Sequence, residues 1–163
     1  MTAVQVLLTP IATVRSCRTE PLDDDWDAVP AQVVLDDALS PSSLLGLQDF
    51  SHVEVVYVFH RVPPGQVTTA VRRPRGKPDW PEVGIFAQRA KARPNRLGVT
   101  VCRLLGVDGR TLHVQGLDAI DGTPVVDVKP YLAELGPRGE VRQPAWSREL
   151  MAGYWTQPGP DCA

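Results

Sequence analysis

The sequence predicts an all-β fold with minor helices, a small β-barrel and not a Rossmann-type sheet. Three observations carry this reading. Short runs rich in β-branched residues recur at close spacing, Gly, Pro and Asp-Gly turns separate them, and only two short stretches have a helical pattern. No GxGxxG follows the first predicted strand, so the glycine turn of a dinucleotide-binding sheet is missing. At 163 residues the chain can bury one core and is too short for two ordinary domains.

The elements follow in order. Val4 to Leu8 and Ile11 to Val14 are apolar and β-branched and read as one strand system entering the domain. The acidic loop from Glu20 to Asp27 holds one large aromatic, Trp26, which either folds back to plug the barrel or stacks on a ligand base. Val33 to Leu35 reads as a strand. Ser40 to Leu47 reads as a short helix with Ser40 as N-cap, Pro41 at the first position and Gly46 as terminator. His52 to Arg61 is the strongest strand, with a composition that suggests burial on both faces. Arg72 to Glu82 carries three prolines and a glycine and reads as a loop. Val99 to Val107 and Thr111 to Leu117 form a hairpin through Asp108-Gly109-Arg110, and Val125 to Val128 is a further strand. Trp146 to Trp155 is a short amphipathic helix with aromatics on one stripe, suited to packing against the barrel or a second subunit.

Composition sets bounds. Cys17, Cys102 and Cys162 are odd in number and lack CxxC spacing, which argues against a disulfide framework or a zinc site and fits a reducing compartment. No stretch reaches the length of a membrane span and the start lacks the order of a signal peptide, so a cytoplasmic protein is expected. Net charge is -2, yet Arg72, Arg73, Arg75, Lys77, Arg89, Lys91, Arg93 and Arg96 face only Asp79 and Glu82 within their stretch. That local excess is either a phosphate-facing patch or a solvated loop.

Two segments look built to hold a ligand. Gly84 to Gly98, GIFAQRAKARPNRLG, sets Arg89, Lys91, Arg93 and Arg96 in a connection punctuated by Pro94, Asn95 and Gly98, an arrangement suited to an anion. Leu117 to Tyr131, LDAIDGTPVVDVKPY, places a tight Asp-Gly-Thr-Pro turn between apolar runs. Asn95 can brace its turn or hold a ribose hydroxyl. Asp127 and Lys129 share one strand face and can simply pair with each other.

The pattern G-[IV]-F-A-x-R-x-x-x-R-P-N-x-[IL]-G, followed by L-D-x-x-D-G-T-P-V-x-D-[IV]-K-P-Y, resembles the TsaA-like (TrmO) family of S-adenosylmethionine-dependent tRNA methyltransferases. Ile11 to Ser16 resembles that family's opening strand and Gly46 to His60 its central strand. The resemblance implies a TsaA-like barrel domain at 1–135 that forms a homodimer, with residues 136–163 as a tail whose helix packs on the barrel or the dimer partner. It implies S-adenosyl-L-methionine as cofactor, held by His60, Arg61, Phe86, Arg89, Val101, Leu117, Asp118, Ala119, Ile120 and Asp121. Arg89 suits the cofactor carboxylate, the alternative being a structural salt bridge with an acid such as Asp118. His60 is a cofactor contact or a satisfied core histidine.

For the acceptor the resemblance implies tRNA, whose N6-threonylcarbamoyl-adenosine would take the methyl group. Trp26, Arg72, Arg73, Arg75, Lys77, Arg93, Asn95, Lys129 and Tyr131 are the candidate substrate contacts. Methyl transfer from a sulfonium needs positioning and no metal, and a proton must leave the nitrogen to Asp118, Asp121 or His60. The chain departs from the family at Ala90 and Arg96, where Ser and Pro are general, and in its acidic 23–27 loop. Those departures leave two alternatives: a methyltransferase of a small nitrogenous metabolite, and a noncatalytic nucleotide- or RNA-binding module.

Overall fold

The computed structural model describes residues 4–156. Six strands close into an antiparallel barrel: β1 (Ala12–Ser16), β2 (Pro30–Leu35), β3 (His52–Val58), β6 (Leu97–Asp108), β7 (Thr111–Gln115) and β8 (Pro124–Pro130). Their order around the barrel is β1-β2-β7-β6-β3-β8. A separate two-stranded ribbon, β4 (Val71–Arg72) with β5 (Val83–Gly84), closes the two ends of the expected 72–82 loop, which holds no strand between them. One α-helix, α1 (Ala145–Met151), follows the barrel.

Alternation makes the core. Val14, Val33, Val53, Val55, Leu112, Val114, Leu117 and Val125 are almost wholly buried and fill the barrel, each such side chain contributing roughly 1.5–3 kcal/mol. In β3 only Val53, Val55 and Tyr57 are buried, while His52, Glu54, Val56 and Val58 are half-buried. The expectation of burial on both faces is therefore corrected: closure of the sheet gives one interior face and leaves the other toward solvent.

One further reading changes. Val4 to Leu8 forms no strand and is exposed, because β1 already pairs with β2 on one side and β8 on the other, leaving no free edge for it. The short helix expected at 40–47 forms as a 3-10 turn, Pro41–Leu44, with Ser40 Oγ accepting the Ser42 N–H as its cap; Gly46 at φ 87° separates it from a second 3-10 turn, Leu47–Asp49. The hairpin at Asp108-Gly109-Arg110 forms as expected, with Gly109 at φ 55°.

Cys102 is a buried free thiol. Cys17 is disulfide-bonded, so the expectation of uniformly reduced cysteines does not hold there; an odd count excludes only complete pairing. Cys162 lies outside the described residues. Among the described residues no helix is long and apolar enough to cross a membrane.

The register decides where the aromatic core residue goes. Tyr57 sits opposite Gly98 across β3 and β6. A Cβ at position 98 would lie 2.5 Å from Tyr57 Cε2 and 2.9 Å from Phe59 Cζ. Neither ring can step aside inside the packed wall, since Tyr57 and Phe59 also meet edge to face at 5.5 Å. Gly98→Ala should therefore cost about 1–3 kcal/mol, the usual range for overpacking. Urea unfolding would show a lower midpoint at unchanged slope; an unchanged midpoint would refute this account of Gly98.

Candidate functional site

A cleft of about 1740 Å³ opens beside the barrel. It is larger than the roughly 300–1,000 Å³ that a single small ligand usually needs. Its walls come from six parts of the chain: the acidic loop at Pro21 to Trp26, the turn after β3, the β4–β5 ribbon with its loop, the segment from Phe86 to Val101, the loop after β7, and the tail from Gln143 to Trp155.

The basic segment is braced from below. Gln88 is buried and its Nε2 donates to the carbonyls of Arg72 (2.9 Å) and Val83 (3.1 Å), tying the segment to the β4–β5 ribbon. Arg93 donates to the Gln88 carbonyl at 2.8 Å and Arg96 to the Val62 carbonyl at 2.7 Å. Asn95 and Arg96 both take left-handed backbone conformations (φ 63° and 52°), so the Pro94–Arg96 turn folds the chain sharply into β6. Arg89 donates to the Val99 carbonyl at 2.6 Å and stays exposed, and no ion pair joins it to Asp118 among the described residues. Phe86 projects into the cleft with 74% of its surface exposed.

The loop after β7 supplies the acid. Tyr57 Oη donates to Asp118 Oδ1 at 2.9 Å, Thr100 Oγ1 donates to the same oxygen, and Tyr154 Oη donates to Oδ2. Burial first, and then the charge of Asp118, push both phenols well above the usual tyrosine range, so both keep their protons and act as donors. The same neighbourhood pushes the buried Cys102 thiol up to about 12, burial being the larger cause.

The remaining candidates separate clearly. His60, Arg61, Phe86, Arg89, Val101, Asp118 and Ile120 line the cleft. Leu117 and Ala119 point into the core, and Asp121 accepts the Ser16 N–H at 3.1 Å outside the cleft lining. His60 is exposed, not a core histidine, and burial together with Arg61 holds its imidazole below the usual range.

Trp26 is 2% exposed and plugs a small second core with Val29 and Ile120, while also reaching the cleft edge. Arg18 holds it in place: the guanidinium lies 4.5 Å over the Trp26 ring and donates to the Asp24 and Asp25 carbonyls at 2.7 and 2.5 Å. Of the basic cluster, Arg72 and Arg75 line the cleft. Arg73 instead donates to the Trp80 carbonyl (2.6 Å) and Lys77 sits 4.4 Å over the Trp80 ring. Arg93 and Asn95 are in the cleft, whereas Lys129, paired with Asp127, and Tyr131 lie outside its lining. The acidic loop faces cations: Arg75–Asp24 at 2.8 Å, Lys91–Asp23 at 3.7 Å and Arg61–Glu20 at 3.4 Å.

Comparison with known proteins places the chain in a family. Residues 18–136 match the family model described as the tRNA-methyltransferase O N-terminal domain. The chain belongs to that family. It is 39% identical over 102 residues to the human "tRNA (adenine(37)-N6)-methyltransferase", covering 63% of this chain and 23% of that protein. To the "Probable S-adenosyl-L-methionine-binding protein" of Pyrococcus abyssi it is 35% identical over 137 residues, covering 82% of this chain and 72% of the relative. A crystal structure of TrmO from Pseudomonas aeruginosa superposes with a TM-score of 0.68 at 29% identity, covering 85% of this chain and 62% of that one. The chain thus spans under a quarter of the human protein's length.

Tyr57, Thr100, Gln88, Arg18 and Tyr154 were missed by sequence reasoning as site residues. Tyr57 and Thr100 carried a signal, since both stand at inward positions of alternating strands where a hydroxyl needs a partner.

Proposed function

We propose that the chain is an S-adenosylmethionine-dependent N-methyltransferase acting on the N6-threonylcarbamoyl-modified adenosine of tRNA. The observation that carries the reading is convergence: the two motif segments, separate in sequence, face one cleft in a chain of the tRNA-methyltransferase O N-terminal family.

The residues suit such a cofactor. Arg89 is the cation for its carboxylate, the exposed Phe86 ring an apolar wall beside it, and Asp118 an acceptor for a ribose hydroxyl or an ammonium group. When bound, the cofactor supplies a methyl group already activated by its sulfonium. What remains for the chain is to align the acceptor nitrogen and take one proton from it. We assign the proton to His60. Its imidazole is neutral at pH 7 because burial and Arg61 disfavour the cation, and it lines the cleft. Asp118 already accepts three hydroxyls and Asp121 is held by Ser16, which makes both poorer acceptors.

Arg72 and Arg75 at the cleft rim suit the phosphates of an RNA acceptor. A cytoplasmic homodimer completes the reading, with the partly exposed outer residues Val99, Val101 and Leu105 of β6 suited to a second copy. In it, residues 1–135 form the barrel domain and 136–163 the tail.

Arg89→Ala should weaken S-adenosylmethionine binding by more than about tenfold with the melting temperature unchanged. Isothermal calorimetry decides it, and full affinity in the variant would remove Arg89 from the site. His60→Ala should bind the cofactor normally but transfer methyl slowly. In the wild type the rate should fall toward acid pH, over a range below that of an ordinary imidazole, as the base becomes protonated. Persistence of that acid limb in His60→Ala would exclude His60 as the base.

For the acceptor, Arg72→Ser with Arg75→Ser should weaken tRNA binding and flatten its salt dependence by about one to two in the log–log slope. Arg73→Ser with Lys77→Ser should change that slope little, because those two cations serve Trp80. Wild-type protein that binds no tRNA at any salt would overturn the tRNA assignment in favour of a small-molecule acceptor.

A further inference from the structure

The family match ends at residue 136, yet one side of the cleft is built after it. Five contacts bring the tail there. Trp80 Nε1 donates to Glu149 Oε2 at 2.7 Å, and the Trp80 and Trp146 rings meet at 6.4 Å, docking α1. Past α1, the Tyr154 carbonyl accepts the Trp26 N–H at 3.1 Å. The Tyr154 ring packs on the Trp26, Val29 and Ile120 cluster, and its hydroxyl reaches Asp118.

We propose that Tyr154 is a positioning residue: it fixes the Asp118 carboxylate for the bound cofactor, so that a segment outside the family domain completes the cofactor site. The argument is geometric. Asp118 stands on a loop, between Gly116 at φ 80° and the Gly122 turn at φ 78°, with no strand to hold its side chain. Tyr57 and Thr100, both from barrel strands, take one carboxylate oxygen. That leaves the carboxylate free to swing about this oxygen unless the second is also held. Tyr154 holds it. An ionised carboxylate offers about four lone-pair sites, so three hydroxyl donors leave roughly one acceptor position for a ligand. A ribose hydroxyl or an ammonium group suits that remaining position.

The proposal rests on the cofactor reading above and is separable from it. The test is calorimetric titration of the full chain with S-adenosylmethionine, comparing wild type, Tyr154→Phe and Glu149→Ala. Tyr154→Phe keeps the ring and removes only the donor; Glu149→Ala releases the Trp80 contact and leaves the Asp118 contact in place. The expected result is affinity about tenfold weaker in Tyr154→Phe and within about twofold of wild type in Glu149→Ala. In steady state, Tyr154→Phe should raise the KM for the cofactor and leave that for the acceptor unchanged.

Equal losses in the two variants would overturn the proposal, since Tyr154 would then be one anchor of the tail among several. Tighter binding by Tyr154→Phe would overturn it in the opposite sense, the hydroxyl being a placeholder that the ligand displaces. Wild-type protein without cofactor affinity refutes the cofactor reading itself and, with it, the role assigned to Tyr154. Wild-type binding with an unaltered Tyr154→Phe refutes the positioning role alone.

Discussion

A carboxylate half inside a protein must be paired, and the structure of this cleft depends on how Asp118 meets that demand. Its partners are hydroxyls and not cations, drawn from β3, β6 and the tail. Neutral donors satisfy the oxygens and leave the negative charge uncancelled. The charge in turn helps to keep both phenols protonated, so the arrangement sustains its own donors. Tyr57 can take part only because Gly98 lies opposite it and leaves room for the ring. A backbone without a side chain at the end of the basic segment is thus coupled to the acid in the next motif.

The cationic wall is organised by a different rule. Arg73, Lys77, Arg93 and Arg96 bind carbonyls or an aromatic ring of the chain itself, and so shape the segment. Arg61, Arg72, Arg75, Arg89 and Lys91 line the cleft together with Arg93, and the acidic loop partly neutralises Arg61, Arg75 and Lys91. Exposed pairs of this kind contribute about 0–1 kcal/mol each. They do not fix the loop. Its position comes from the buried Trp26 and from Arg18 stacked on it, which hold the backbone of Asp24 and Asp25.

The sequence by itself determined the barrel. Alternation with period two, β-branched runs and turn residues set the strands, because each strand needs one apolar face and each reversal a residue that tolerates it. It also marked two segments that line the cleft, whose residues are close together in the chain. Phe86, Arg89 and Asp118 were legible for that reason and His60 through the family resemblance, and all of them line the cleft.

What only the tertiary structure decided concerns groups brought together across the chain. Closure of the sheet removed the extra strand at Val4 to Leu8 and gave β3 a single buried face. The division of a uniform basic run into Arg72 and Arg75 at the cleft and Arg73 and Lys77 on Trp80 depends on where one buried indole lies. Tyr154 meets Asp118 across 36 positions, through an aromatic tail whose helical pattern specified an apolar face but not what it would cover. Local pattern fixes which side chains must be buried or solvated; which distant partner satisfies each polar atom is settled only when the packed chain excludes water around it.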